Sequence, residues 1–418
     1  MATVFGGSNG YKYCDYVSAW YLKAADFIER SCGGIFAFVS TSSISEGEQV
    51  AHLWSRLYGM GCHIHFAHQG FKWRNNASNN AVVQCVIVGV GMSKPARCSL
   101  YGGETKRDVE SISPYLIAGA ERYVHTESVP LSRELNAMVS GSMPRDDGSL
   151  IVAWDEANQW VKTCPEVRPF LRVFLGSQEL IHVRDRKCLW IEDETLERAK
   201  AVPEIAERIE RVRAFRLASS AKTTRSYSTI PHKFAQRAHQ ETRSIAIAKT
   251  SSENRAYLPA DLLTSDNVIS DAAFAIYEPS LWELALILST LHLAWIVTVC
   301  GKLESRLRYA STLGWNTFPV PILTEKNRSD LTCCAEDILL ARERHFPATI
   351  ADLYEPESMP ADLRAAHDRN DEVLERIYIG RRFKNDTERL EKLFDLYIKM
   401  TATAAPASLK KRKVGANA

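Results

Sequence analysis

The stretch CGGIFAFVSTSSISEGEQ, Cys32–Gln49, decides how this chain is read. Two glycines open an apolar run, Ile35–Val39. Five hydroxyl residues between Ser40 and Ser45 close it, and Glu46 and Glu48 follow. A short run rich in β-branched and aromatic residues, bounded by turn residues, predicts a buried strand. Its polar end predicts side chains delivered to the rim of a sheet. A lone strand is not stable in water, so the rest of that sheet has to lie in the flanking sequence.

On the N-terminal side, residues 13–30 have helical spacing, with Tyr16, Trp20, Ala24 and Phe27 on one face. On the C-terminal side, residues 46–60 form a second amphipathic helix, and CHIHFAHQGFKW (62–73) reads as a strand with a polar end. NNAVVQCVIVGVG (79–91) is a β-rich run, and its Asn-rich approach predicts a loop turning into a hairpin. Residues 1–92 therefore read helix, strand, helix, strand, strand, which is the second half of a doubly wound α/β domain.

From Ser111 onward short strands and Pro/Gly-punctuated loops dominate. Residues 195–218 predict one charged helix leading into a basic tract that runs from Arg208 to Arg255. The apolar stretch LWELALILSTLHLAWIVTVCG (281–301) contains Glu283 and His292. It predicts a buried amphipathic helix rather than a membrane span. Residues 325–400 are helical and charged, broken at YEPESMP (354–360), and Phe394 and Tyr397 share a helical face that predicts core packing. The tail APASLKKRKVGANA (405–418) predicts a solvated, disordered end. No internal repeat is found.

The chain has 418 residues, is 45% hydrophobic and 24% charged, and carries a net charge of +2. That is ample for a core, and no global field demands a polyanionic partner. The ten cysteines are scattered and none forms C-x-x-C. With no apolar signal core at the N-terminus, reduced thiols in a cytoplasmic protein are expected.

The specific sequence runs carry a closer resemblance. DYVSAWYLKAADFIE (15–29), AFVSTSSISEGEQV (37–50), IHFAHQGFKWRNNA (64–77), VVQCVIVGVG (82–91), GSMPRDDG (141–148), RPFLRVFLGSQEL (168–180), CLWIED (188–193), RVRAFRLAS (211–219), SSENRAYLP (251–259), CGKLESRLRYAS (300–311), WNTFPVP (315–321), ADLYEPESMPADLRAAHD (351–368) and RLEKLFDLYIKM (389–400) follow one another in order. Together they resemble the MmeI-like type II restriction-modification family, in which one chain carries an adenine-N6 DNA methyltransferase and a target-recognition domain. The resemblance spans Phe5 to Met400. It implies an α/β fold in four parts: an incomplete Rossmann-like methyltransferase sheet (1–105), a mixed α/β target-recognition domain (106–321), C-terminal helices (322–402) and a disordered basic tail (403–418).

The resemblance also implies roles. Asp15 and Tyr16, with Phe38–Ser43, correspond to elements beside the S-adenosylmethionine and target-base pocket. FKWRNNA (71–77) corresponds to the loop that receives the extruded adenine. Flipping a base costs a few kcal/mol and stacking on an aromatic face returns about 1–3 kcal/mol, so Phe71 and Trp73 are both candidates. His63, His65 and His68 suggest a metal site, but no carboxylate or thiol pattern completes a shell, and methyl transfer in the family needs none.

Two expected signatures are not found. No Pro-Pro occurs in the chain, so the Asn/Asp-Pro-Pro-aromatic motif that activates the adenine amino group has no counterpart, and no catalytic residue is assigned. Neither GVG (89–91) nor GMG (59–61) stands between a strand and a helix start, as a nucleotide turn requires. In the family that motif lies shortly upstream of a segment like VFGGSNGYKYCDYV (4–17). The chain alone is expected to be inactive: a truncated product, one subunit of a split enzyme whose partner chain brings the front strands, or an independent DNA-binding module.

For double-stranded DNA, the basic tract and KLESRLRY (302–309) are expected to contact phosphates, which position without specifying sequence. Candidate DNA-binding residues are Arg225, Lys249, Ser251, Ser252, Arg255, Lys302, Arg306, Arg308, Tyr309 and Asn316. Two functions remain open: a DNA adenine methyltransferase that needs its other half, and a non-catalytic DNA-specificity subunit.

Overall fold

A computed structural model describes residues 1–404, apart from Ser8, Cys32, 75–81, 183–185 and Glu304. The chain packs as two compact units that do not follow sequence order. Among the described residues, one holds Met1–Glu134, Thr312–Leu323 and the chain from Arg382 to Ala404; the other holds Leu135–Ser311 and Thr324–Arg381.

The first unit contains α1 (Val17–Arg30), β1 (Ile35–Thr41), α2 (Gln49–Gly59), β2 (His63–Arg74), β3 (Val82–Gly91), β4 (Cys98–Gly102) and β5 (Thr105–Val109). These strands form a sheet of order β1-β3-β2-β4-β5. Strand β3 is antiparallel to both β1 and β2, so those two point the same way with β3 reversed between them. Strand β4 is parallel to β2, and β5 returns antiparallel to β4. The β2–β3 hairpin is the predicted one, folded back so that β3 fills the gap beside β1.

Burial of β1 departs from expectation. Phe36, Phe38 and Ser40 face α1, whose Tyr21 ring meets Phe36 and Phe38 edge-on at 5.8 and 5.3 Å and whose hydroxyl lies 3.2 Å from Ser40 Oγ. The alternate residues do not follow: Ile35 is 56% and Val39 53% exposed. Among the described residues β1 pairs only with β3, so it is an edge strand with one covered face. Helix α1 shows the same division. Tyr21, Leu22, Ala25 and Ile28 are buried against the sheet. The predicted face of Tyr16, Trp20, Ala24 and Phe27 points away from it, with Trp20 51% and Phe27 69% exposed.

Gly89 and Gly91 lie inside β3 rather than at a turn. A Cβ on Gly89 would sit 2.1 Å from the Phe66 ring, and one on Gly91 would sit 2.6 Å from His65 Nε2. The glycines admit those side chains over the sheet.

Among the described residues, the second unit holds two four-stranded sheets and one three-stranded sheet. The single helix expected over 195–218 is two, Leu196–Lys200 and Pro203–Ala218. Pro203 lacks an N–H and starts a new helix instead of continuing the old one. The apolar stretch is likewise two helices, Leu281–Ile287 and Thr290–Val299, bent by 58°. Ser289 caps the second by accepting a hydrogen bond from His292 N. Among the described residues no single helix is long and apolar enough to cross a membrane. Helices Glu325–Glu343 and Ala361–Ile379 belong to this unit, whereas Asp386–Ala404 belongs to the first, where Phe394 and Tyr397 are buried.

Candidate functional site

Because β1 and β2 run the same way, their C-terminal ends share one rim. Thr41 and Phe71 both stand opposite Cys85 of β3, one on each side. Directly paired residues point to the same face, so Thr41 and Phe71 project together, two strand spacings or about 10 Å apart. Trp73 pairs with Val83 one step further out on that face. Phe71 is half-buried, while Trp73 is 54% exposed. Phe71 and Trp73 therefore form an aromatic row on the sheet face to which Thr41 also points.

The polar end of the opening stretch completes this rim. Thr41 Oγ1 and Ser43 Oγ are 2.7 Å apart, and Ser43 Oγ donates to the Asp15 carboxylate. The Asp15 backbone N–H donates to Gln49 Oε1, and Gln49 is buried. Asp15 thus ties the start of α1 to the end of β1 and to the start of α2. Tyr16 occupies the N-cap position of α1 and is exposed. Of the loop FKWRNNA, residues 75–77 lie outside the described residues.

The three histidines take separate roles. His63 Nδ1 is 2.7 Å from Glu121 Oε1, His65 packs over Gly91, and the His68 ring stacks on Tyr101 at 4.2 Å. Among the described residues no group of three or more His, Cys, Asp or Glu is placed to hold a metal.

In the second unit, Thr250–Ser251, Arg306–Arg308 and Gly301–Leu303 form a small antiparallel sheet with Arg306–Arg308 in the middle. Arg306 and Arg308 lie on one face with Thr250, and both arginines are exposed. Leu307 turns to the other face and is buried. Lys302 is exposed on the outer strand. Ser252 and Arg255 follow this sheet in a turn in which the Arg255 N–H reaches Ser252 O at 3.4 Å. Burial lowers the Arg255 pKa, with Glu355 opposing the shift. Arg225 is exposed, and its guanidinium caps the carbonyls of Ser219 and Ser220 at 2.6 and 2.8 Å.

Four of the candidates lie partly or wholly inside the fold. Lys249 Nζ donates to Ser140 Oγ at 2.7 Å and Asp271 O at 2.6 Å, over the Phe274 ring, and burial lowers its pKa. Ser251 is buried. Tyr309 is buried, with its hydroxyl 3.0 Å from His292 Nε2. Asn316 is buried in the first unit, donating to Glu127 O at 2.8 Å. Ser251, Tyr309 and Asn316 pack inside the protein, and the half-buried Lys249 has its ammonium held by Ser140 and Asp271.

The basic tract is also less of a patch than expected. Arg208 bonds to Ser149 O, Ile151 O and Glu156. Lys233 pairs with Asp193, and Arg237 pairs with Glu192 over the Trp190 ring. Arg216 is fully buried. Arg211, Lys222 and Arg243 remain on the surface. Nothing in the sequence singled out Thr250; only the strand register places it beside Arg308. Ser43 and Gln49 were likewise invisible as partners of Asp15, although both lie in the opening stretch.

A reversed strand between two parallel ones, flanked by helices, in a chain whose second unit carries one mixed sheet and an antiparallel arginine hairpin, is a methyltransferase-like α/β arrangement. Comparison with known proteins agrees. Residues 1–102 match the model of the MmeI DNA-methyltransferase domain, 118–322 the MmeI target recognition domain and 323–405 the MmeI C-terminal domain. The chain belongs to the MmeI family. It is 37% identical over 402 residues to DNA methyltransferase A of Bacillus subtilis (strain 168), covering 96% of this chain and 45% of that protein. The solved structure of the type IIL restriction-modification enzyme MmeI in complex with DNA superposes with a TM-score of 0.90 at 35% identity, over 96% of this chain and 54% of that one. The chain thus spans about half the length of these relatives.

Proposed function

We propose that this chain provides the target-base rim and the DNA-recognition unit of a site-specific, S-adenosylmethionine-dependent adenine-N6 DNA methyltransferase of a restriction-modification system. The observation that carries this reading is the register that aligns Phe71 and Trp73 with the Asp15–Ser43–Thr41 cluster at one sheet rim. Trp73, the exposed ring, stacks on the extruded adenine, with Phe71 as its floor. Asp15 and Tyr16 hold the rim beside the cofactor. Lys302, Arg306 and Arg308 grip the DNA backbone, with Ser252, Arg255 and Arg225 nearby.

The described residues do not by themselves fit the cofactor. No Gly-rich turn joins a strand to a helix, and the GVG glycines are covered by Phe66 and His65. Another polypeptide segment, in a longer form of the protein or a separate chain, therefore supplies that site and the Asn/Asp-Pro-Pro-aromatic motif. The reading places the protein in the cytoplasm.

The test is methyl transfer to duplex DNA by the chain alone and with the partner segment added. Transfer is expected only in the second case, and its absence in both leaves the non-catalytic specificity subunit as the function. In the active pair, Trp73→Ala is expected to lower kcat/KM by about 1–3 kcal/mol of lost stacking, roughly 5- to 150-fold. An unchanged rate would give the stacking role to Phe71.

A further inference from the structure

The first unit holds a cavity of about 240 Å³ between the loop 111–120 and the helix Asp386–Ala404. The loop is a closed wall: Gly119 N–H donates to Ser111 O at 3.1 Å, and Ser113 N–H donates to Ile117 O at 2.9 Å. The Tyr115 ring stacks on Phe394 of the helix, with ring centres 5.8 Å apart, and so ties wall to helix. Because both sides are held in this way, the cavity is preformed. Its volume lies below the ~300–1,000 Å³ of pockets that take drug-sized molecules, so a ligand that fits is small.

Helical spacing sorts the lining by chemistry. Leu390 and Phe394 are one turn apart, are buried, and make an apolar floor with Ile117. Glu391 and Asp395, shifted by one position on the same helix, are exposed at the rim. Arg122 completes the rim and donates from Nη1 to Asp395 Oδ1 at 2.5 Å. Among the described residues its Nε and Nη2 have no partner, and Glu391 has no ion pair. Ser113, also in the lining, is 2% exposed, and its Oγ has no hydrogen-bond partner among the described residues.

We propose that this cavity binds a free α-amino acid with an apolar side chain. A guanidinium with two unused donors takes a carboxylate through two parallel hydrogen bonds. The ligand's ammonium lies between Glu391 and Asp395, and its side chain covers Leu390, Phe394 and Ile117. The charges on the rim select for both groups at once. A carboxylate without an amine meets Arg122 but also faces two carboxylates, and like charges repel. An amine without a carboxylate leaves the guanidinium donors unused. A bound amino acid bridges the helix Asp386–Ala404 to a loop residue 273 positions away from Asp395 in the chain, and so reinforces the Arg122–Asp395 contact. The site goes beyond the proposed function and stands on the cavity alone.

The experiment is isothermal titration calorimetry of the full chain with L-leucine as probe. Isopentylamine, which lacks the carboxylate, and 4-methylpentanoate, which lacks the amine, are the comparison ligands. One-to-one binding of leucine is expected with a Kd below about 1 mM, and each comparison ligand is expected to bind at least tenfold more weakly. Glu391→Gln and Arg122→Gln are each expected to weaken leucine binding at least tenfold. Glu391 is exposed and makes no ion pair among the described residues, so thermal unfolding of Glu391→Gln should match that of the unaltered chain; that variant decides the matter if Arg122→Gln loosens the fold. No binding of leucine up to about 10 mM overturns the proposal. Equal affinity for leucine and either comparison ligand also overturns it, since the cavity would then read only one end of the molecule. Binding that Glu391→Gln leaves unchanged does the same, because the ammonium would have no place on the rim.

Discussion

Arg216 shows how one side chain joins motifs that sequence keeps apart. It has five N–H donors, and all five meet carbonyls: Nε that of Arg145, Nη1 those of Tyr227 and Ile230, and Nη2 those of Pro144 and Lys233, at 2.7–3.0 Å. GSMPRDDG and RVRAFRLAS, some seventy residues apart in the chain, are therefore one structural feature. The turn needs this support, because Arg145 and Asp147 both have positive φ (51° and 55°). Read linearly, the arginine belonged to a phosphate-binding tract. Its burial assigns it to the core, since a buried guanidinium persists only with its donors met. Lysine cannot reproduce the fork, so Arg216→Lys is expected to destabilise the protein by about 3–5 kcal/mol, read as a lowered denaturation midpoint. A loss under about 1 kcal/mol would show that the carbonyls find other donors.

At the level of elements, pairing decides what each strand can do. In β3, Gly89 lets the Phe66 ring lie across the sheet. Gly89→Ala is expected to cost about 1–3 kcal/mol through overpacking, measured by chemical denaturation, because a ring rather than a flexible chain must move. The arginine hairpin works through alternation: Leu307 anchors it inward while Arg306 and Arg308 face out. If those cations meet phosphates, Arg306→Ala and Arg308→Ala should each reduce the slope of log K against log salt by about 1, in titrations of duplex DNA by the chain. A slope unchanged in both variants would move the contact elsewhere. The helix pair Leu281–Ile287 and Thr290–Val299 read as one apolar run, but the Ser289 cap breaks it, and the bend turns a span-length stretch into core.

Across the whole molecule, burial governs the response to acid. His292 and His367 in the second unit are enclosed, and desolvation pushes both pKa values down to about 3. His367 is held neutral between the Tyr354 hydroxyl at 2.7 Å and Leu288 O at 3.2 Å. Unfolded histidine titrates near 6.5. Below that pH the unfolded chain binds protons that the folded one refuses, so stability falls as pH drops from about 6.5 toward 3. Each histidine contributes a slope of up to about 1.4 kcal/mol per pH unit. Denaturation midpoints at pH 7 and pH 5 test this, and His367→Gln should flatten the difference. An equal pH dependence in that variant would assign the effect to other groups.

The sequence by itself determined the order of elements around Ile35–Val39, the hairpin of β2 and β3, and the break in the C-terminal helices. These rest on local periodicity and turn chemistry, which short stretches carry alone. It also determined family membership, through many short motifs in fixed order. Only the tertiary structure decided that β1 and α1 each keep an uncovered apolar side, and that Phe71 and Trp73 share a rim with Asp15. Only it decided that Tyr309, Asn316 and Arg216 are interior and that the Lys249 ammonium is held by Ser140 and Asp271. Exposure and strand register are set by partners distant in sequence, and a polar residue meant for DNA looks the same in one dimension as a polar residue meant for the core.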